Sequence, residues 1–196
     1  RDPALRETLS IGAPTVLVML CSFAIVSVQT AASYSFSDSG PSVLAYARLW
    51  FTLPYAVLAV PITTTMFTEL AEMQAEGNTQ GVKRGIVSGT NQILFFMIPF
   101  ALYLMVFALP LVTLYPAGAF TMESVGAIAS YLAVLAVALP FYGVNTYLQK
   151  VYSSVRKMGV FAGFNFVAGG VQIGLTMLAA SGVGSLPFEA IAAAEA

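Results

Sequence analysis

Hydrophobic and polar residues follow one another along this chain in long blocks rather than at short intervals. Charged residues divide the sequence into apolar runs that lie between Glu7 and Asp38, Arg48 and Glu69, Arg84 and Glu123, Glu123 and Lys150, and Lys157 and Glu189. A helix needs about 20 apolar residues to span the hydrocarbon core of a bilayer. Because each run is long enough for one such helix, the pattern predicts a chain that crosses a membrane five times.

The positions of these helices determine the predicted fold class and domain organisation. We place the spans at about 9–36, 49–68, 86–114, 124–149 and 159–182. The fold class is therefore all-α, a polytopic integral membrane protein with about five transmembrane helices. Residues 1–196 are predicted to form a single transmembrane domain. Because the chain opens on arginine rather than methionine, we expect that domain to be an incomplete piece of a longer protein.

Positive charge is distributed unevenly between the connections that join the spans. If the chain starts on the cytoplasmic side, seven Lys and Arg residues are cytoplasmic and only Arg48 lies outside. Cytoplasmic loops of membrane proteins are enriched in Lys and Arg, so this count predicts a cytoplasmic N-terminal end. Residues 69–77 are predicted to form a cytoplasmic interfacial helix with Glu69, Glu72 and Glu76 on one face. These glutamates could bind a cation, but without a fixed cage of oxygen ligands a solvated face is favoured.

The stretch from Tyr46 to Leu70 differs from a simple lipid anchor. It contains Pro54 and Pro61, followed by a row of hydroxyl groups at 63–65. In hydrocarbon, a backbone group freed by a proline needs a partner from another helix, a side chain or water. We therefore expect a broken helix that faces other protein or a wet cavity. Helix kinks are predicted at four prolines, namely Pro54, Pro61, Pro99 and Pro140.

Composition supports the membrane assignment and excludes several kinds of chemistry. The sequence is 58% hydrophobic and 9% charged, whereas a soluble domain has about 25% charged residues. The net charge of −1 does not suggest a nucleic-acid partner. The absence of histidine and the single cysteine, Cys21, argue against a metal site and a disulfide. Since no catalytic grouping or phosphate-binding loop is present, we predict that the protein is not an enzyme and has no cofactor.

Arg48 carries the most specific candidate chemistry in the sequence. A guanidinium group binds phosphate through two parallel hydrogen bonds, so an arginine beside a polar cavity suits an anionic lipid headgroup. The alternative is that Arg48 only anchors its helix at the membrane surface. Polar residues within the spans are weaker candidates for substrate binding, or for bonds to adjacent helices: Gln29, Thr30, Asn145 and Gln172.

Glycines spaced by four residues predict places where helices pack closely. The third run contains Gly85 and Gly89, and the fifth contains two further pairs, at 159 and 163 and at 170 and 174. We expect these positions to face neighbouring helices.

Three stretches of the chain share their order and spacing with a known family. They are LAYARLWFTLPYAVLAVPITTTMFTELAEMQAEGN from Leu44 to Asn78, YPAGAFT from Tyr115 to Thr121, and LPFYGVNTYLQKVYSSVRKMG from Leu139 to Gly159. Together they resemble the MviN/MurJ family of lipid II flippases, within the multidrug/oligosaccharidyl-lipid/polysaccharide exporter superfamily. The resemblance implies a fragment of the second lobe of a transporter with fourteen helices in two lobes.

The resemblance also implies a function. The expected activity is movement of lipid II, the lipid-linked peptidoglycan precursor, across the bacterial cytoplasmic membrane by alternating access. The expected partners are this anionic lipid-linked substrate, membrane lipid and an N-terminal lobe of the same protein. Arginines hold the pyrophosphate in the family's cavity. Measured back from Pro54, Arg48 stands one residue earlier than the family arginine, whose place is held here by Leu49.

Other functions are compatible with the same residues. One alternative within the superfamily is a flippase for another polysaccharide-lipid, or a drug/ion antiporter. Another alternative, from a different class, is a non-transporting membrane scaffold for cell-wall assembly. The sequence of the first lobe would help to separate these possibilities.

Overall fold

A computed structural model describes residues 3–114, 122–181 and 187–194, with side chains from Gly12 onward. Within these ranges every regular element is helical. The α-helices are α1 (Pro3–Ser33), α2 (Gly40–Pro54), α3 (Val60–Ala75), α4 (Thr79–Val112), α5 (Met122–Leu135), α6 (Leu139–Ser154), α7 (Met158–Ala180) and the short α8 (Ala190–Ala193). A π-helical turn, Tyr55–Ala59, joins α2 to α3, and a 3₁₀ turn, Ala136–Ala138, joins α5 to α6.

Among the described residues, five helical passes are long and apolar enough to cross a membrane, which confirms the all-α polytopic fold. They are Gly12–Ser33, Gly40–Ala75, Thr79–Val112, Met122–Ser154 and Met158–Ala180. The connections that the structure describes are short, so successive passes run in opposite directions. We call the end that carries residues 34–39 the outer end, after the orientation predicted from the charges.

The second pass is longer than its predicted span of 49–68. It begins at Gly40, with Pro41 in the first turn. Proline is tolerated there because the N–H groups of the first turn make no hydrogen bond within the helix. At the other end α3 continues to Ala75, so residues 69–75 are its last turns rather than a separate helix. Gly77 follows with a positive φ of 73°. The side chain of Asn78 then caps α4 by accepting a hydrogen bond from the Gly81 N–H at 2.8 Å.

Helix type changes near three of the four prolines at which kinks are predicted. Pro54 is the last residue before the π-helical turn, and Pro61 is the second residue after it. Pro140 lies directly after the first residue of α6, next to the 3₁₀ turn. In contrast, α4 stays α-helical through Pro99. These changes of helix type are typical of positions where proline removes a backbone hydrogen bond.

The hydrophobic core is divided unequally between two parts of the molecule. The larger cluster fills the space between α2, α4, α5 and α6, where Ile93, Met97, Leu132 and Leu135 are fully buried. Helices α1 and α7 pack side by side against this bundle and leave most of their apolar residues exposed. A small separate cluster of Val18, Met158 and Phe161 joins the α1–α7 pair to α6 through Leu148 and Tyr152.

Gly89 and Gly169 each allow a close approach between helices. A Cβ atom on Gly89 would lie 2.3 Å from the Tyr147 hydroxyl oxygen, and one on Gly169 would lie 2.6 Å from Cys21 Sγ. The predicted packing role of the glycine pairs in α7 is wrong within the described chain. Apart from the local backbone of α7 and the neighbouring residues in the chain, no described atom lies within 4 Å of a Cβ built at 159, 163, 170 or 174. The approach occurs instead at Gly169, which lies on another face of the same helix.

The outer end of the bundle is closed by side chains from three segments. A Cβ atom on Gly40 would lie 2.3 Å from the Ser33 carbonyl oxygen, so α1 and α2 nearly touch there. Phe188 places its ring 5.6 Å from the ring of Phe36 and 5.1 Å from that of Tyr131. The YPAGAFT stretch at 115–121 lies outside the described residues, and so does the predicted end of the fifth span at 182.

Candidate functional site

A cavity of about 530 Å³ separates the α1–α7 pair from the rest of the bundle. Its walls come from four helical passes, and the residues that line it are Ser22, Ile25, Val26, Gln29, Arg48, Phe51, Thr52, Ala138, Phe141, Tyr142, Asn145, Phe164, Asn165, Ala168, Gly169 and Gln172. The cavity exists because the pair contacts the bundle near both ends. At the inner end the rings of Tyr152 and Phe161 are 5.7 Å apart, and at the outer end α1 meets α2.

Arg48 brings positive charge to this cavity. Its Nη2 donates a hydrogen bond to Oε1 of Gln29, which joins α2 to α1 across the outer half of the cavity. Gln29 is fully buried, with 0% of its side chain exposed. Its Nε2 group is also buried and has no hydrogen-bond partner among the described residues. A buried donor without a partner is unfavourable, so the closed arrangement of α1 and α2 carries a free-energy cost at this amide.

Three further amide side chains line the cavity walls on α6 and α7. The side chains of Asn145 and Gln172 make no hydrogen bond within the part of the chain that the structure describes, and both line the cavity. Asn165 differs, because its Nδ2 donates to the Phe161 carbonyl at 3.1 Å. Amide groups both donate and accept hydrogen bonds. The two unbonded amides can therefore bind neutral polar groups such as hydroxyls.

Aromatic rings form the remaining wall between the polar groups. Phe51 lies edge-on to Tyr142 at 5.4 Å, and Tyr142 lies edge-on to Tyr55 at 5.0 Å. Phe141 and Phe164 also line the cavity, and both are largely exposed. Edge-to-face packing holds the rings of Phe51 and Tyr142 in place. The cavity thus combines one cation, several amides and fixed aromatic faces.

Four of the five predicted substrate-binding residues line the same cavity, namely Gln29, Arg48, Asn145 and Gln172. Thr30 does not line the cavity. Adjacent side chains on a helix point about 100° apart, and the side chain of Gln29 is the one that faces the cavity. The Thr30 hydroxyl instead donates to the Val26 carbonyl at 2.8 Å.

The threonine row of the second pass also lies away from the cavity. The hydroxyls of Thr63, Thr64 and Thr65 donate to carbonyl oxygens four residues earlier, at 2.6 to 3.1 Å. These groups are satisfied within their own helix. The part of the second pass that faces the cavity is its outer half, at Arg48, Phe51 and Thr52.

Charge in the described part of the cavity is entirely positive, because Arg48 is present and no carboxylate lines the walls. The described residues contain no cluster of three His, Cys, Asp or Glu side chains that could hold a metal ion. Glu69, Glu72 and Glu76 are exposed at the far end of α3. An anion is therefore the charged ligand that this cavity suits.

A second, smaller space of about 290 Å³ lies on the opposite side of α2, against α4. Its lining is apolar, with Leu53, Val57 and Leu104 among the side chains. It offers no charge for a polar ligand, so the larger cavity is the candidate site.

Sequence reasoning did not find several residues of the site. Phe51, Tyr142 and Asn165 line the cavity, but aromatic and amide residues in a membrane helix are equally common in packing roles. The spacing from Arg48 could have indicated Phe51, because residues 48, 51 and 52 lie on one face of a helix. The positions of Asn165 and Tyr142 depend on how distant helices pack.

The fold and cavity together define a multi-pass membrane protein with a polar, positively charged cavity between its helices. The sequence model of the family described as "Lipid II flippase MurJ" matches residues 1–194. The chain belongs to this family of lipid II flippases.

Individual relatives agree with the family match. The chain is 25% identical over 145 residues to the "Probable lipid II flippase MurJ" of Borreliella burgdorferi, covering 71% of this chain and 29% of the relative. It is 27% identical over 114 residues to the "Lipid II flippase MurJ" of Thermosipho africanus, covering 58% and 23%. These alignments span less than a third of each relative.

One solved structure shows the same fold. It is described as "Lipid II flippase MurJ, inward closed conformation", and it superposes with a TM-score of 0.79 at 22% identity. The superposition covers 97% of this chain and 40% of that structure. The helical arrangement described above therefore corresponds to part of a larger membrane protein.

Proposed function

We propose that this chain is part of a flippase that moves lipid II, or a closely related lipid-linked cell-wall precursor, across the bacterial cytoplasmic membrane. The observation that supports it most directly is the position of Arg48 in a cavity that has no carboxylate among its described lining residues. The family membership and the names of the relatives support the choice of substrate.

Arg48 would hold the pyrophosphate, because its planar guanidinium can donate two parallel hydrogen bonds to phosphate oxygens. Asn145 and Gln172 would bind polar groups of the headgroup, since both line the cavity and neither side chain bonds to another described residue. Phe141 and Phe164 would offer apolar faces to the sugar rings. The cavity would thus recognise a charged, hydroxylated headgroup.

Movement would come from rocking of the α1–α7 pair against the bundle. The pair shares little buried apolar surface with the bundle away from its two ends, so a change of angle would break few contacts. The changes of helix type near Pro54 and Pro140 are places where the adjoining passes could bend. Alternating access of this kind is common among transporters with cavities between helical units.

The proposal also includes the orientation of the chain in the membrane and a second helical lobe as its partner. We infer that the N-terminal end of α1 lies at the cytoplasmic side and that the cavity opens toward a second helical lobe supplied by the rest of the protein. The short coverage of the relatives supports this inference. The isolated chain would not transport substrate, because half of the cavity wall would be absent.

The proposal is tested by rescue of bacterial cells depleted of their own lipid II flippase. The full-length polypeptide that carries this chain is expected to restore growth, and its Arg48→Ala variant is expected to fail at equal membrane abundance. Lys83→Ala is the matched control, because Lys83 is exposed at the start of α4 and does not line the cavity.

The outcomes separate the parts of the proposal. If the wild-type polypeptide never restores growth while it is stably inserted, the assignment of the substrate is wrong. If wild type and Arg48→Ala restore growth equally well, the site assignment is wrong.

A further inference from the structure

Gln29 and Arg48 form a polar pair that joins the α1–α7 pair to the bundle at the outer half of the cavity. The bond is made by the same guanidinium that would bind an anion. A phosphate oxygen is a stronger acceptor for guanidinium than a neutral amide oxygen. An anion that enters the cavity therefore competes with Gln29 for Arg48.

We propose that Gln29 is a releasable latch: it holds Arg48 and closes α1 against α2, and an anionic headgroup displaces it and frees the outer half of α1. This inference rests on the proposed function, since it takes the anion to be the phosphate of a lipid-linked substrate. Gln29 is thus a positioning residue, acting through Arg48 rather than as the main contact to the substrate.

The surroundings of Gln29 favour release. Its Oε1 accepts from Arg48, but its Nε2 is buried without a partner among the described residues. The closed arrangement therefore keeps one donor of the same amide unsatisfied. When α1 moves away from α2, water can reach that donor, and this gain offsets part of the loss of the Arg48 bond.

The architecture gives the release a consequence beyond the cavity. Near the latch, α1 touches α2 at Ser33 and Gly40. The pair is also attached at the inner end, around Phe161 and Tyr152, and at the outer end Ala32, Phe36 and Ala180 pack against the larger hydrophobic cluster. Loss of the Gln29 bond would remove a polar contact at the outer end, which favours a pivot of the pair on the inner cluster and opening of the cavity at the outer end. Binding of the anion would in this way be coupled to opening.

Two substitutions of almost equal size test the latch with opposite expected effects. In the full-length polypeptide, Gln29→Met removes the competing acceptor, and the affinity for purified lipid II is expected to rise roughly threefold to tenfold. Gln29→Glu replaces the amide with a carboxylate that binds guanidinium more strongly, and the affinity is expected to fall by about tenfold or more. Asn145→Leu is the control for a direct contact and is expected to weaken binding.

The result that would overturn the latch is weaker binding by Gln29→Met, because Gln29 would then be an ordinary ligand contact. Unchanged binding by Gln29→Glu would overturn it as well. Arg48→Leu separates these failures from failure of the proposed function. If Arg48→Leu leaves lipid II binding unchanged, the anion site itself is wrong. If Arg48→Leu abolishes binding of lipid II, but the affinities of Gln29→Met and Gln29→Glu do not change in opposite directions, only the latch is wrong.

A distance measurement tests the coupling to opening independently of affinity. Spin labels are placed on the exposed positions Phe23 of α1 and Leu49 of α2 in a Cys21→Ala background. Lipid II and Gln29→Met are each expected to shift the distances to larger values, whereas Gln29→Glu keeps the short distances even with lipid II present. The next residue on α1 supplies a control, because Thr30→Ala should not change the distribution. Identical distributions in all variants would contradict the latch.

Discussion

The Arg48 guanidinium donates a hydrogen bond to the side-chain oxygen of Gln29, 19 residues earlier in the chain. This bond links α1, whose buried Val18 and Ala32 belong to the smaller and the larger hydrophobic cluster respectively, to α2, whose buried residues belong to the larger one. It also places the charge of Arg48 at the wall of a cavity with no described carboxylate. The proposed recognition of an anion and the contact between the two parts of the molecule therefore both involve Arg48 and Gln29.

The unbonded amides give a first prediction about binding. Replacing Asn145 or Gln172 with leucine is expected to raise the KM for lipid II roughly threefold to tenfold through the loss of one hydrogen bond. Thermal stability should change little, because neither side chain bonds to another described residue. Asn165→Leu is the contrasting variant, since it loses the bond to the Phe161 carbonyl and should also lower the melting temperature. Equal losses of stability in all three would contradict the assignment.

The bond between Tyr147 and Gly85 gives a second prediction about stability. The Tyr147 hydroxyl donates to the Gly85 carbonyl at 3.0 Å and joins α6 to α4 within the core. Tyr147→Phe is expected to lower the free energy of unfolding by about 1 kcal/mol. Tyr34→Phe is the matched control, because Tyr34 is 61% exposed and should tolerate the change. The free energy of unfolding of both variants is measured in mixed micelles. Equal stability of the two variants would be inconsistent with a contribution from this bond.

The contact between Cys21 and Gly169 gives a third prediction. A methyl group on Gly169 would lie 2.6 Å from the Cys21 sulfur, so Gly169→Ala is expected to destabilise the α1–α7 contact by about 1–3 kcal/mol. Adding Cys21→Ala removes the clashing atom and should restore most of that loss. Gly174→Ala, which has open space around it, should be neutral or slightly stabilising because alanine favours the helix. Additive effects of the Gly169 and Cys21 changes would argue against direct contact.

Phe188 provides a prediction about the outer end. Its ring packs against Phe36 and Tyr131, and the following residues Ile191 and Ala192 are fully buried. Phe188→Ala is expected to cost about 1–3 kcal/mol from two aromatic contacts and their buried area. Hydrogen exchange of residues 187–194 should become faster. Phe166→Ala, at a site that is 63% exposed, should leave that exchange unchanged. Unchanged exchange in Phe188→Ala would show that the ring does not hold the segment.

Much of the fold follows from the distribution of charge along the sequence. A membrane-spanning helix cannot contain many charges, so the gaps between charged residues located all five helical passes. The helix ends were less predictable. The second pass begins at Gly40 rather than near 49, because Arg48 and the residues before it are tolerated within a helix whose neighbours supply polar contacts.

The site was partly predictable for a different reason. Gln29, Asn145 and Gln172 are polar residues within apolar runs, and Arg48 borders one. Burial next to lipid would be unfavourable for each, so a shared polar cavity was a reasonable expectation. Thr30 shows the limit of that reasoning, because a hydroxyl can bond to its own helix. The π-helical turn and the role of Gly169 depend on contacts between distant helices, and local sequence carries little information about them.

The central claim is that a lipid-linked anion crosses the membrane through the cavity that contains Arg48. The most direct measurement is the rate at which lipid II becomes accessible to a membrane-impermeant reagent at the opposite face of vesicles. The vesicles contain the full-length polypeptide or its Arg48→Lys or Arg48→Leu variant. We predict transport by wild type, a partial rate for Arg48→Lys, and a rate lower by about tenfold or more for Arg48→Leu. Equal rates for wild type and Arg48→Leu, or no transport by wild type, would contradict the account.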